Sequence, residues 1–229
     1  MYQNRNLNKS PFNPPLLKGV WGIWKSRNLL VLLAMLFVCS VKGVAVDTLW
    51  NDIVVGEQST QEKLATIDLQ RYFAQVSGSV PKLWTVEKWN ATPVPAVIIG
   101  VPESNEILSS DKALTTNLNE QGYVIAAREI KGRQTVIVTA KTPVGVVNGI
   151  YGLLRELGFG FYLGSESVPT KLPAEFVPAG VIKNPVFNIR GVLPWYNFFN
   201  SPTTWESVDH HTFVDQLIRS GANFAGFHS

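Results

Sequence analysis

The sequence TPVGVVNGIYGLLRELG, residues 142–158, carries the clearest structural signal in this 229-residue chain. Thr142 and Pro143 predict the start of a helix, because a threonine side chain can cap free backbone amides and proline at the first helical position has no amide to leave unpaired. Gly158 predicts the end of the helix. Between them, apolar residues recur at the spacing of one helix face: Val147, Ile150, Tyr151, Leu154 and Leu157.

Three glycines lie inside the predicted helix, at Gly145, Gly149 and Gly152. Each costs about 1 kcal/mol of helix stability relative to alanine, so a close approach of the helix to a sheet is the expected reason for them. A phosphate-binding turn would place its glycines before the helix. Lys141 precedes Thr142 instead, and nucleotide binding is therefore not predicted.

The segments around this helix predict an α+β domain over residues 46–163. Ser59 and Glu62 form a capping-box pair that opens an earlier helix, and Gly78 is its expected end. Apolar runs bounded by turn residues predict strands at 49–55, 96–100, 122–127, 135–140 and 159–163, with a turn at Gly132. The resulting order, β-α-β-β-β-α-β, predicts a mixed β-sheet with two packed helices.

A different pattern follows a proline-rich stretch. Residues 164–185 contain four prolines and no periodicity, which predicts a linker. In residues 186–229, strands are predicted at 187–193 and 223–227, with a helix at 205–220 between them. This β-α-β order is typical of the start of a (β/α)8 TIM barrel. One such unit cannot close a barrel, so we expect an incomplete, truncated barrel or a tail that packs on the first domain.

Residues 1–45 predict a signal peptide. Basic residues precede an apolar run at residues 29–41, and the small residues of 43–45 follow it. A membrane span needs about 20 apolar residues, so a cleaved leader is preferred to the alternative of an uncleaved N-terminal membrane anchor. The only cysteine, Cys39, follows Val38, which is too large for a lipoprotein site. We expect export to the periplasm or the extracellular space, and a mature chain without disulfides.

The positive net charge of the chain belongs to this leader. Of the 20 lysines and arginines, six precede Asp47, while all 17 acidic residues lie at or after it. Without residues 1–45 the chain carries 14 basic and 17 acidic residues, a net charge of −3. We therefore predict no nucleic-acid partner, and no sequence feature predicts a cofactor.

Three segments, 65–73, 96–102 and 142–158, together resemble the α/β domain that precedes the catalytic barrel in family 20 β-N-acetylhexosaminidases and the related α-glucuronidases. Ile189-Arg190-Gly191-Val192 is similar to the Arg-Gly entry into the first barrel strand of these enzymes. The resemblance implies a glycan or oligosaccharide substrate bound through the missing part of the barrel. The resemblance carries over no catalytic residue. In these enzymes the paired catalytic acids belong to the fourth barrel strand, which the present sequence does not reach. No His-Glu-x-x-His run occurs, so no metal is expected.

Candidate substrate-binding residues lie just after the predicted barrel strands, because barrel enzymes place their sites at the C-terminal ends of the strands. Trp195, Tyr196 and Asn197 follow the first strand, where family 20 enzymes carry a Ser-Arg-His context. His228 ends the second strand. An aromatic face can stack on a sugar, and Asn or His can hydrogen-bond its hydroxyls. The alternative is that these residues only pack locally.

Other polar residues receive structural predictions. Arg190 is expected to be an ion-pair partner at the start of its strand. His210 and His211 point about 100° apart on a helix and cannot share a metal ion, so both are expected at the surface. Asp209 is expected in the first helical turn, where it complements the helix dipole. Glycosidases need two suitably spaced carboxylates, but the neighbouring acids are expected to be surface residues: Glu166, Glu175, Glu206 and Asp209.

These observations predict the N-terminal, non-catalytic portion of an exported glycoside hydrolase, in which this portion alone is inactive. The alternative is a non-enzymatic exported carbohydrate-binding or scaffold module. A third interpretation is a membrane-tethered structural domain. It requires an uncleaved leader, which is the only predicted contact with a membrane.

Overall fold

The computed structural model describes residues 46–173, 180–194 and 201–226 of the chain, with side chains from Leu49 onward. Residues 45–229 form one compact unit.

The described residues contain ten strands: β1 (Asp52–Val55), β2 (Lys82–Thr85), β3 (Ala96–Gly100), β4 (Tyr123–Ile130), β5 (Arg133–Ala140), β6 (Gly160–Tyr162), β7 (Ser165–Ser167), β8 (Val181–Lys183), β9 (Gly191–Val192) and β10 (Phe224–Ala225). Six of them form one sheet in the order β2-β1-β3-β5-β4-β8. Strands β1, β2, β3 and β5 run parallel, whereas β4 pairs antiparallel with both β5 and β8. The mixed sheet of the α+β prediction is confirmed.

Five α-helices occur in the same residues: α1 (Thr60–Ser77), α2 (Val86–Ala91), α3 (Lys112–Thr115), α4 (Pro143–Glu156) and α5 (Ser207–Ser220). Short 3₁₀ helices cover Val46–Asn51, Glu106–Asp111 and Pro202–Thr204. The six-stranded sheet with α1 to α4 forms the α/β body, and β9, α5 and β10 form the C-terminal unit. None of the described helices is long and apolar enough to cross a membrane.

Helix α1 begins and ends where its capping residues predict. The backbone N–H of Ser59 donates to Glu62 Oε2 at 2.7 Å, and the Glu62 amide donates to Ser59 Oγ at 3.3 Å. Gly78 follows the helix with φ of 77°, a left-handed conformation that glycine adopts without steric cost. The predicted capping box and glycine end are confirmed.

Helix α4 lies close to the sheet because its glycines allow it. The Gly145 amide donates to the Thr142 hydroxyl at 3.1 Å, which confirms the predicted cap. A Cβ atom on Gly149 would lie 2.8 Å from Cγ1 of Val138, and one on Gly152 would lie 2.5 Å from the Tyr123 hydroxyl. Both distances are shorter than real Cβ contacts, so the close packing expected from the sequence is confirmed.

The sheet is covered on both faces. On one face, α1 and α4 bury Leu69 and Ile150 in the same core as Ile99 of β3. On the other face, Trp89 of α2 packs in a second core with Ile98. Successive strand residues point to opposite faces, which is why these neighbours lie in different cores. Helix α2 was not predicted, because it has only six residues and β2 before it is mostly exposed.

The first strand is shorter than predicted. The chain is a 3₁₀ helix over Val46–Asn51 and becomes a strand only at Asp52. Leu49 and Trp50 are nevertheless buried in the core with α1. Their apolar side chains produced the strand signal, although they pack from a helical turn.

The predicted linker at 164–185 contains two short strands. Its role as a domain boundary stays a prediction. β7 pairs antiparallel with β6, with Glu166 opposite Phe161, so β6 forms a separate hairpin rather than a strand of the main sheet. β8 pairs antiparallel with β4, with Lys183 opposite Tyr123. Strands of three residues are too short to show an alternating pattern in the sequence.

The C-terminal unit has the predicted β-α-β order. β9 and β10 pair in parallel, with Gly191 opposite Phe224, and α5 connects them. The pairing is tight, because a Cβ atom on Gly191 would overlap the carbonyl oxygen of Phe224. Each strand has two residues instead of the longer runs expected at 187–193 and 223–227. That this unit opens a barrel stays a prediction.

Candidate functional site

The four predicted substrate-binding residues, Trp195, Tyr196, Asn197 and His228, lie outside the described residues. The strands that precede them are described. β9 and β10 are parallel, so the chain leaves both strands at the same edge of their small sheet. The sugar-binding role of these residues stays a prediction.

The α/β body contains a topological switch point between β1 and β3. The chain leaves β1 through α1 to β2 on one side, and then crosses through α2 to β3 on the other side. Open α/β sheets bind ligands outside the carboxyl ends of the strands at such a point. A 750 Å³ crevice lies there, next to Val55 at the end of β1 and Thr85 at the end of β2.

The crevice is acidic. Four glutamates and no basic residue line it: Glu57, Glu87, Glu103 and Glu106. Lys112 lies nearby and forms an ion pair with Glu103 at 3.1 Å. The hydrogen bond from this lysine holds the pKa of the Glu103 carboxyl below its usual range. Negative charge of this density disfavours a phosphate or another anion.

Two loops of the chain are tied together over the switch point. The amide of Glu57 donates to the carbonyl of Ser104 at 3.1 Å. Asn105 is buried, donates to the carbonyl of Ile99 at 3.1 Å and accepts from the amide of Ile107 at 3.1 Å. The first amides of α1, which could hold an anion, are capped by its own side chains. The crevice is therefore a poor nucleotide site.

A second polar cluster joins the C-terminal unit to the α/β body, with Arg219 at its centre. Its Nε donates to Asp68 Oδ2 of α1 at 3.0 Å, and its Nη1 donates to Glu166 Oε1 of β7 at 2.9 Å. Its Nη2 lies 3.7 Å from Asp215 Oδ2 on the same helix. The side chains of Arg219 and Asp68 are each only 17% exposed. One guanidinium thus links three separate elements.

Asp68 receives donors from two further residues. The Tyr151 hydroxyl of α4 donates to Asp68 Oδ2 at 2.9 Å, and Arg71 donates to Oδ1 at 3.2 Å. Burial alone would lower the pKa of Arg219, but the charge of Asp68 and its hydrogen bond outweigh burial and raise it. Burial and the charge of Asp68 raise the pKa of the Tyr151 hydroxyl. Because its pKa is raised, Arg219 is cationic at neutral pH.

Two arginines donate hydrogen bonds to carbonyl groups at the end of α5. Arg155 of α4 donates from Nη1 to the carbonyl of Arg219 at 2.7 Å. Arg190, just before β9, donates to the carbonyl of Gly221 from Nε at 3.1 Å and from Nη2 at 2.8 Å. Cations at a helix C-terminus satisfy its free carbonyls and complement its dipole. These contacts fix where the helix ends.

Arg190 therefore acts differently from its prediction. In the described residues its guanidinium forms no ion pair, and its Nη1 donates to the carbonyl of Phe187 at 2.8 Å. Asp209 accepts from the Glu206 amide at 2.9 Å, which confirms its place in the first turn of α5. His211 is exposed as predicted, whereas the half-buried His210 packs edge-on against Trp205.

The predicted surface acids have different outcomes. Glu206 is exposed, as predicted, and Glu175 lies outside the described residues. Glu166 is an ion-pair partner of Arg219, and its side chain is only 26% exposed. The sequence analysis did not single out Asp68 or Arg219. Asp68 and Arg219 are 151 positions apart in the chain, so the sequence around either residue does not indicate its partner.

A scan against protein-family models matches residues 39–153 to the family described as glycosyl hydrolase family 67 N-terminus. The matched residues cover β1 to β5 and most of α4, which is the α/β body without β8. The chain belongs to this family.

Membership of the glycosyl hydrolase family 67 N-terminus supports the α-glucuronidase side of the resemblance seen in the sequence. It is consistent with the N-terminal domain of a glycoside hydrolase. The resemblance to family 20 is not covered by this match and stays a prediction. A search of curated proteins found no match. Arg155, Glu166 and Arg219 lie beyond the matched residues.

Proposed function

We propose that this chain is the N-terminal, non-catalytic portion of an exported, α-glucuronidase-like glycoside hydrolase, and that its α/β body is a scaffold that fixes the C-terminal unit. The observation that carries the scaffold role is the cluster around Arg219. Through its three carboxylate partners and Tyr151, this cluster connects α1, α4, β7 and α5. Family membership supports the glycoside hydrolase context.

The contact between the two parts depends on polar groups. Leu217 is the only buried residue of α5. Gln216 of α5 adds a further polar contact, because its Oε1 accepts from the Gly164 amide at 2.7 Å. Hydrogen bonds between charged groups are directional, so they fix orientation better than apolar contact does. A scaffold that must hold a strand pair at one angle needs such contacts.

The carboxylates of the cluster suit a structural role. A glycosidase acid must keep a proton near neutral pH, and its partner must face the substrate. Asp68 and Glu166 are both bound to Arg219, so both carboxylates are engaged within the protein. This supports a body that positions a catalytic barrel without contributing acids to it.

Substrate contact and export complete the proposal. The barrel would bind a glycan or oligosaccharide through residues that include Trp195, Tyr196, Asn197 and His228, at the edge where β9 and β10 end. The apolar leader of residues 1–45 would direct the protein out of the cytoplasm.

Hydrogen exchange on the purified chain tests the scaffold role. In Arg219→Met, we expect amides of α5 and β10 to exchange about tenfold faster or more, because opening of the C-terminal unit becomes less costly by about 1.4 kcal/mol. Amides of β3 and β5 should keep their protection. The matched control is Arg71→Met, which removes another cation from Asp68 but stays within α1. Unchanged exchange of α5 in Arg219→Met would refute the scaffold role.

An activity assay tests the glycosidase context. The complete gene product should release uronic acid from uronic-acid-bearing oligosaccharides, whereas residues 46–229 should release none. Hydrolysis by the shorter protein would contradict a non-catalytic role. Binding of oligosaccharide by the complete product without any cleavage would favour the alternative carbohydrate-binding module.

A further inference from the structure

A second cleft, of 360 Å³, opens where the α/β body meets the C-terminal unit. Its walls come from α4, β8 and the segment before β9, and the end of α5 closes one side. The residues that line it include Tyr123, Arg155, Lys183, Arg190 and Gly221. This volume lies in the range of small-molecule sites, which is about 300–1,000 Å³.

The charge of this cleft is opposite to that of the chain around it. Arg155, Lys183 and Arg190 line it, and no carboxylate is among the lining residues. After residue 45 the chain carries more acids than bases, so three converging cations are not an average sample of its surface. A concave site lined by one sign of charge concentrates ions of the opposite sign.

Several donors in the cleft are not used by the fold. Among the described residues, Arg155 donates from Nη1 alone, which leaves Nε and Nη2 of its fork without a protein acceptor there. Within the described part of the chain, the ammonium of Lys183 and the hydroxyl of Tyr123 have no hydrogen-bond or ion-pair partner. Arg190, by contrast, uses all three of its side-chain nitrogens on carbonyl groups.

We propose that this cleft binds a small oxyanion, a single carboxylate or phosphate group, between Arg155, Lys183 and Tyr123. A guanidinium fork and an ammonium are the donors that bind both anions most strongly. The site goes beyond the proposed glycosidase context and does not depend on it. Arg190 and Gly221 line the same cleft. A bound anion would therefore also stabilise the contact between the α/β body and the C-terminal unit.

Lys183 offers the most direct test, because no described residue pairs with its ammonium and its replacement removes no contact seen in the structure. Calorimetric titrations use sodium phosphate and sodium acetate, with chloride added to keep the ionic strength constant. Saturable binding is expected for the unaltered chain. Lys183→Gln should weaken it at least about tenfold, because a hydrogen bond to a charged group is lost. Lys183→Arg should retain binding.

The matched control is Lys141→Gln, an exposed lysine that does not line the cleft. Its affinity should equal that of the unaltered chain, and the thermal midpoints of all variants should agree. Whether phosphate, acetate or both give saturable binding identifies the class of anion that the cleft accepts. Failure of both anions to saturate, equal affinity in Lys183→Gln, or equal weakening in Lys141→Gln would each overturn the proposal.

Discussion

The α/β body and the C-terminal unit are stabilised in different ways. In the body, every residue of β3 is buried, and apolar cores lie on both faces of the sheet. In the unit, α5 leaves Val208, Val214 and Ile218 exposed, and Phe224 of β10 is 47% exposed. Its contacts with the body include the ion pairs of Arg219 and the hydrogen bond from Arg155 to the carbonyl of Arg219.

The difference shows which interaction sets which property. Apolar burial supplies most of the free energy of folding but little directional preference. Charged hydrogen bonds at a partly exposed junction add modest free energy, yet they fix the angle of one part against the other. The body should therefore determine whether the chain folds, and the Arg219 cluster should determine where the C-terminal unit lies.

The largest effect is expected from breaking the body. Trp89→Ala removes a fully buried side chain from the second core and should lower the free energy of unfolding by about 3–5 kcal/mol. Urea unfolding followed by circular dichroism measures it. The counterpart in the unit is Val208→Ala, which truncates an exposed side chain and should cost no more than about 0.5 kcal/mol. Equal losses in the two variants would contradict the comparison.

An intermediate effect is expected at high pH, next to the junction. Burial raises the pKa of Tyr72 to about 12, while the ordinary value is 10.0. The unfolded chain loses this proton first, so the stabilisation is complete below pH 10 and is lost as the pH rises towards about 12. In that window the free energy of unfolding should fall by about 1.4 kcal/mol per pH unit for this group.

Urea unfolding across the same window measures this slope. Tyr151, whose pKa is also raised, adds a similar contribution. Tyr72→Phe should remove the contribution of Tyr72 to the slope and leave that of Tyr151. Tyr162→Phe, which replaces an exposed tyrosine, should leave the slope unchanged. The interpretation fails if Tyr72→Phe unfolds with the same pH dependence as the unaltered chain.

The smallest effect is expected from removing single carboxylates around Arg219, and its size should differ between Glu166 and Asp215. Glu166 lies 2.9 Å from the guanidinium with 26% exposure of its side chain, whereas Asp215 lies at 3.7 Å with 59% exposure. Glu166→Gln should cost about 1 kcal/mol and Asp215→Asn about 0.3 kcal/mol, because exposed pairs are screened by solvent. Urea unfolding of both variants measures the difference. A larger loss in Asp215→Asn would show that the contact to β7 is not what holds the unit.

The sequence predicted local features well and distant ones poorly. The capping contacts of Ser59 with Glu62 and of Thr142 with Gly145 lie within one helical turn. The residue types and their spacing are therefore enough to predict them. The short strands β2, β7 and β8 were missed, since three or four residues hold too little pattern to recognise. Glu166 was predicted to be a surface acid because its partner is 53 positions away.

For the candidate sites, the sequence indicated residue types rather than arrangements. It placed Arg190 within a strand at 187–193 and predicted an acid as its partner, whereas the structure has Arg190 just before β9, bound to the carbonyl of Gly221. The cleft with Arg155 and Lys183 was not predicted, because β8 brings that lysine beside Tyr123 only through strand pairing.

By itself, the sequence determined the elements whose signals are local: helices α1 and α4 with their caps, the buried strand β3, and the order of strand and helix in the C-terminal unit. These features follow from side-chain periodicity and from hydrogen bonds between near neighbours. Only the tertiary structure decided that Arg219 contacts Asp68 and that β8 joins the sheet. Such contacts depend on how the folded chain brings distant residues together, and they leave no pattern in either segment alone.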